Sequence, residues 1–143
     1  MTRRRGIILK SAREIELMRR AGRLVHRVLG TMRELARPGV TTADLNATAE
    51  KIIAEAGGVA LFKGVVNPQA KFPFPAVLCT SVNEQLVHGI PDQRRLRPGD
   101  VVSVDCGVRL EGYCADSATS LPIEPISPET SRLLDVTQRA LDL

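Results

Sequence analysis

Val101-Val102-Ser103-Val104-Asp105-Cys106-Gly107-Val108-Arg109-Leu110, then Glu111-Gly112, then Tyr113-Cys114-Ala115-Asp116-Ser117-Ala118-Thr119-Ser120-Leu121-Pro122-Ile123 is the stretch that decides the fold. β-Branched residues alternate with small or polar ones on both sides of a Gly-containing dipeptide, the pattern of an antiparallel hairpin. Val102, Val104, Cys106 and Val108 fall on one face, which reads as a core face. A two-residue turn at either 110–111 or 111–112 puts Asp105 and Asp116 together on the other face. They are then either directly opposed, about 5 Å apart at Cβ, or diagonal at about 7–8 Å. Two ionised carboxylates that close repel unless a cation lies between them or one stays protonated. Ser103, Gly107, Cys114, Ala118 and Ser120 leave room around them, as a divalent-metal site requires. On spacing alone, the simpler reading of two surface Asp on a half-exposed hairpin has the edge. By the same parity Cys106 and Cys114 point to opposite faces and share neither a disulfide nor a metal.

Upstream, 76–82 reads as a strand and 83–92 as an exposed turn region containing His88, followed by an Arg97-Pro98-Gly99-Asp100 turn. A histidine held between turn residues after a strand is a better functional candidate than one on a helix face, where His26 lies. Ser11-Ala12-Arg13-Glu14 is a capping box opening a long amphipathic helix. Its expected buried stripe is Ile15, Met18, Gly22, Val25, Leu29, Met32 and Ala36. Arg37-Pro38-Gly39 stops it, and Thr41 or Thr42 caps a second helix that buries Leu45, Ala49, Ile52, Ile53 and Ala56 and ends at Gly57-Gly58. Residues 59–75 read as a short strand and a loop. Downstream, Ser127-Pro128-Glu129 opens a third helix whose apolar face, Leu133, Leu134, Ala140 and Leu141, runs on to the last residue, so the sequence reads as stopping inside a helix.

The 143 residues suit one domain of ordinary size, and 43% hydrophobic with 25% charged residues reads as globular. No apolar run reaches the roughly 20 residues of a membrane helix, and no secretory signal is evident, so the cytoplasm is the expected location. Three Cys without Cys-x-x-Cys spacing indicate neither a disulfide framework nor a zinc knuckle. No HExxH pattern, GxSxG elbow or phosphate-cradling glycine loop is present. The net charge of +4 is uneven: residues 1–37 carry eleven Lys/Arg against three Asp/Glu, and the remainder nine against thirteen. Residues 1–10 form a basic tail that, with the first helix, could touch phosphate such as ribosomal RNA, although no aromatics interleave for base stacking.

Three motifs in order resemble type I methionine aminopeptidases of the pita-bread metallopeptidase family M24. They are the run Phe74 to Glu84 leading into Val87-His88-Gly89-Ile90-Pro91, then Leu96-Arg97-Pro98-Gly99-Asp100 with the strand to Asp105, then Gly112-Tyr113-Cys114-Ala115-Asp116-Ser117. Ala115 stands where a Gly is expected in many relatives. The resemblance implies an α+β pita-bread (creatinase/aminopeptidase) fold, with residues 1–143 as its N-terminal half. That half comprises two helices, antiparallel strands with a central hairpin, and the start of a third helix. It further implies that Asp105 chelates one of two divalent ions (Co, Mn, Fe or Zn) and Asp116 bridges both. His88 would hydrogen-bond the substrate near the scissile amide as a catalytic and substrate-binding residue, while Phe74 and Cys79 line the methionine pocket. The activity implied is removal of the N-terminal methionine from peptides and nascent proteins. The remaining ligands of such a site, a His and two Glu, belong to a second half that these residues do not contain. The chain alone is therefore expected to be inactive, the missing half coming from the rest of the chain or from a partner. The alternatives are a catalytically inactive pita-bread binding module and a ribosome-associated basic-helix protein.

Overall fold

The computed structural model describes residues 7–142; residues 1–6 of the basic tail lie outside the described residues. In chain order the elements are α1 (Ala12–Leu35), α2 (Thr42–Glu55), β1 (Val59–Ala60), β2 (Leu78–Val82), β3 (Val101–Leu110), β4 (Tyr113–Pro122) and α3 (Pro128–Leu141). The four strands form one antiparallel sheet built on β3, which pairs with β4 on one edge and with β1 and β2 along the other.

Local chemistry sets each boundary. Ser11 accepts the Glu14 amide while the Glu14 carboxylate accepts the Ser11 amide, so the predicted capping box is formed. Thr41, not Thr42, caps α2 and forms a second such box with Asp44. Ser127 Oγ accepts the Thr130 amide at the start of α3, with Pro128 in the first helical turn. The hairpin turn lies at Glu111-Gly112, both with positive φ (50° and 83°), so Leu110 faces Tyr113. Such a turn matches the right-handed twist of the flanking strands. Glu111 is not the residue type that prefers this conformation, and the strain is about 1 kcal/mol. Its carboxylate pairs with Arg20 on α1 at 2.7 Å, and Tyr113 Oη donates to Glu14 at 3.2 Å, so the hairpin tip is tied to the first helix.

The core lies between the sheet and the helices α1 and α2. Val102, Val104, Cys106 and Val108 are fully buried, as their alternation predicts. Leu45, Ala49 and Ile53 pack from α2. On α1 the buried ridge differs from the expected one: Ala21, Leu24, Val25, Val28 and Met32 face the core, whereas Ile15 and Met18 are 46% and 40% exposed. The helix carries two neighbouring apolar ridges about 100° apart that share Val25, and the sheet takes the one spaced 21-24-28-32. On α3 no residue is buried; Leu133 and Leu141 are exposed, so its apolar face has no partner among the described residues. None of the described helices is long and apolar enough to cross a membrane.

The two ridges predict different costs for similar changes. Met32→Ala should destabilise by about 2–5 kcal/mol through the cavity it leaves, and Met18→Ala by less than about 1 kcal/mol. Urea denaturation of the two variants checks this, and equal losses would put the helix rotation in error.

Candidate metal centre

Asp105 sits in the middle of β3 and Asp116 on β4. The turn at 111–112 pairs Asp105 with Ala118 and Gly107 with Asp116, which settles the open choice: the carboxylates are diagonal neighbours on one face. Across the other edge of β3, Cys79 of β2 is directly opposite Asp105 and shares that face. Ser103 and Ser120 flank the pair, their hydroxyls 2.8 Å apart.

Gly107 is bare for a structural reason. A Cβ there would lie 2.7 Å from Phe62 Cε1 and 3.0 Å from Asp116 Oδ2, so the Phe62 ring covers the glycine and borders Asp116. Phe62 is the site residue that sequence reasoning missed, because it lies in a stretch with no periodicity. Phe74 is half-buried, in a loop closed where Gly64 donates to the Phe74 carbonyl and Phe74 to the Val65 carbonyl. Phe74 is thus positioned by the backbone of a loop, with no strand beneath it.

His88 is on the exposed 83–92 turn, at φ 59°, a conformation a non-glycine residue holds only when its surroundings impose it. The neighbouring residue does the imposing. Gly89 donates to Ser81 Oγ at 3.1 Å and accepts from the Thr80 amide at 2.8 Å, pinning the turn against β2. A Cβ at Gly89 would lie 2.2 Å from the Thr80 carbonyl oxygen, so only glycine permits this approach. The root of the turn is held by Asn83, whose Oδ1 accepts from Val101 and whose Nδ2 donates to Asp100 at 2.8 Å. β2 and β3 therefore bring Cys79, His88 and Asp105 together, and β4 adds Asp116. His26 is elsewhere, on the exposed side of α1, and the three cysteines are free, Cys114 being exposed and Cys106 buried in the core.

The electrostatics of the cluster are unbalanced. Asp105 Oδ1 is buried and has no hydrogen-bond partner. Burial, then the Asp116 carboxylate, push the Asp105 carboxyl above its ordinary value, and the nearby His88 only partly offsets this. The Cys79 thiol is pushed up to about 11 by burial and then by the two carboxylates, and is a neutral wall at physiological pH. No Lys or Arg forms an ion pair with either Asp among the described residues. An orphaned buried carboxylate oxygen beside a second carboxylate fits a divalent cation. Among the described residues no group of three or more His, Cys, Asp or Glu converges, so this chain offers two carboxylates and not a full ligand set.

The basic side of α1 is largely engaged within the molecule. Arg19 and Arg23 reach Glu16, Arg20 reaches Glu111, Arg27 donates to the Ile52 carbonyl and Arg33 to Thr119.

Comparison with known proteins follows the geometry. The model of metallopeptidase family M24 matches residues 16–143. The methionine aminopeptidase of Clostridium acetobutylicum is 44% identical over 135 residues, 94% of this chain and 52% of that protein. That of Clostridium perfringens is 42% identical over 134 residues, 94% of this chain and 51% of that protein. The crystal structure of the Thermotoga maritima methionine aminopeptidase superposes with a TM-score of 0.86 at 30% identity, covering 96% of this chain and 53% of that one. The chain thus spans about half the length of the relatives it matches, and the expected α+β pita-bread architecture holds.

Two expectations follow from the pinned turn. Gly89→Ala should destabilise the chain by at least about 2 kcal/mol, because backbone must shift to admit the methyl group; a melting temperature unchanged from wild type would refute the close approach. The second concerns the buried Asp100, which also accepts from the Arg97 amide at 2.9 Å. Burial alone would raise its carboxyl, but the hydrogen bonds from Asn83 and Arg97, with Arg94 and Arg97 nearby, hold it below its ordinary value. A value lower in the folded than in the unfolded state, which is about 3.9, stabilises fully above the unfolded value and is lost as pH falls through the folded one. Asp100→Ala should cost about 1.5–3 kcal/mol at neutral pH. The gap to wild type should narrow as pH drops below about 4. Denaturation across that range measures it, and a constant gap would exclude the charged acceptor.

Proposed function

The chain belongs to metallopeptidase family M24, and on that premise we propose that it is the N-terminal half of an aminopeptidase that removes methionine from the N-termini of peptides and nascent proteins in the cytoplasm. The observation that carries the reading is the diagonal pair Asp105 and Asp116, with one carboxylate oxygen buried and unpartnered. These two residues would hold divalent ions, Asp105 at one and Asp116 between two, with a His and two Glu from the second half completing the set. The two-carboxylate contribution does not select among Co, Mn, Fe and Zn. Bound there, a divalent pair supplies Lewis-acid polarisation of the scissile carbonyl and a water acidified for attack.

The chain's own residues do the rest. His88, presented on a turn that Gly89 locks to β2, hydrogen-bonds the substrate beside the scissile amide and steadies the departing nitrogen. Cys79, neutral and buried, lines the methionine pocket together with Phe74, and an unbranched thioether suits aromatic and sulfur surfaces. The Phe62 ring shields one side of Asp116 and excludes water from it. Two carboxylates alone bind a transition metal weakly and position no base, so the 143 residues are inactive without the second half.

The test is a chimera in which this chain replaces the matching segment of the Clostridium acetobutylicum relative. It should release methionine from Met-Ala-Ser in the presence of Mn²⁺ or Co²⁺, and chelation should stop it. Asp105→Asn and Asp116→Asn should each lower kcat/KM more than about a hundredfold with the fold retained by circular dichroism. Undiminished release by either variant, or turnover by the 143-residue chain alone, would overturn the assignment.

A further inference from the structure

Strand β4 leaves a whole edge open. It pairs with β3 alone among the described strands. In a two-residue hairpin closed by Leu110 and Tyr113, alternate residues from Tyr113 onward turn their N–H and C=O groups toward β3. Cys114, Asp116, Ala118 and Ser120 therefore direct theirs outward, and none of these has a backbone partner off the β3 ladder among the described residues. The far edge of the sheet is treated differently. There the Leu78 amide donates to Asn46 Oδ1, the Thr80 amide to the Gly89 carbonyl and the Val82 amide to Gln85 Oε1. One edge is capped group by group, and the other carries no Lys, no bulge and no proline before Pro122, the devices that blunt an edge.

The exposed ridge of α1 runs beside that bare edge. A cavity of about 150 Å³ between them is lined by Gly22, His26 and Leu29 from the helix and by Ala115 and Ser117 from the strand. Ile15 and Met18 continue the ridge toward the helix N-terminus, both far more exposed than the core ridge.

We propose that the β4 edge and the α1 ridge form one self-complementary interface whose occupant is a second copy of this chain, β4 pairing antiparallel with β4 across a two-fold axis. Antiparallel pairing of a strand with itself is isologous, so each hydrogen bond is made twice. The outward side chains are small, and strands can approach to the usual spacing of about 4.8 Å. A sheet continued in this way sets α1 beside α1 on the core face and covers both ridges. The relatives carry about as much chain again as is present here, and a second copy is a covering body of that size. On the opposite face the axis brings the Asp105 and Asp116 of both copies toward one another, turning two carboxylates into four. The resulting repulsion makes a divalent cation favour the dimer. The cation dependence rests on the carboxylate reading proposed above; the interface does not.

Light scattering after size exclusion, with the 143-residue chain, tests this. Wild type should be a dimer. Ala118→Pro deletes an outward N–H that the β3 ladder does not use, and should yield a monomer with an unchanged circular dichroism spectrum. Met18→Glu should raise the dimer Kd by at least about tenfold. Mn²⁺ should tighten the wild-type dimer, and Asp116→Asn should tighten it without metal. A monomeric wild type, or a dimer untouched by both Ala118→Pro and Met18→Glu, would overturn the interface. A monomer that forms a one-to-one complex with the excised second half of the Clostridium acetobutylicum relative would overturn it too, assigning the surface to that half. A dimer lost in Ala118→Pro yet insensitive to Mn²⁺ and to Asp116→Asn would uphold the interface and remove the four-carboxylate grouping.

Discussion

A single constraint organises the molecule: the two-residue turn at Glu111-Gly112 sets the register of β3 against β4, and every functional position is counted from it. With Leu110 opposite Tyr113, Asp105 and Asp116 become diagonal neighbours and Gly107 faces Asp116. A turn one residue earlier would have placed the carboxylates directly opposite each other. The diagonal is the better arrangement for cations, because it leaves space for ions between and beside the carboxylates instead of forcing oxygen against oxygen. The strained Glu111 backbone is held by its ion pair to Arg20 and by the Tyr113–Glu14 hydrogen bond, so α1 guards the register of the strands it covers.

The second strand acts as a bracket for the substrate-facing side. Its outward amides are taken by Asn46, Gly89 and Gln85, and two of these partners are turn residues of the segment that carries His88. The bracket satisfies donors that would otherwise be buried without partners, and the same bonds fix where the imidazole can be. Site geometry and edge protection come from one set of hydrogen bonds, which is why Gly89 admits no side chain.

Much of this was legible in the sequence. Strand alternation from Val101 to Val108, both capping boxes and the glycine-marked helix ends report local physics, which is encoded within a few residues. Parity alone showed that Asp105 and Asp116 share a face. It could not choose between opposed and diagonal, because that depends on which dipeptide forms the turn. The α1 ridge was misjudged at Ile15 and Met18 because two apolar stripes lie side by side on that helix, and only the sheet decides which is buried. Phe62 was invisible because its role comes from a contact with Gly107, 45 positions away and in a different element. Residues whose work is done through long-range contact leave no local pattern to read.

What the fold does not balance within itself is the clearest statement of what it is for. A carboxylate pair without a Lys or Arg partner, one oxygen buried and unpaired, is destabilising on its own terms. The bare β4 edge and the unburied apolar faces of α1 and α3 are costs of the same kind. They are not scattered: the carboxylate of Asp116, the unpaired backbone of β4 and the open α1 ridge all meet along one strand. A sheet that ends in a charged, unpaired strand beside an exposed apolar helix has its missing interactions arranged for a single covering body. That body must supply a strand, an apolar flank and counter-charge for the carboxylates at once, so metal binding and completion of the sheet are coupled steps in assembling the site.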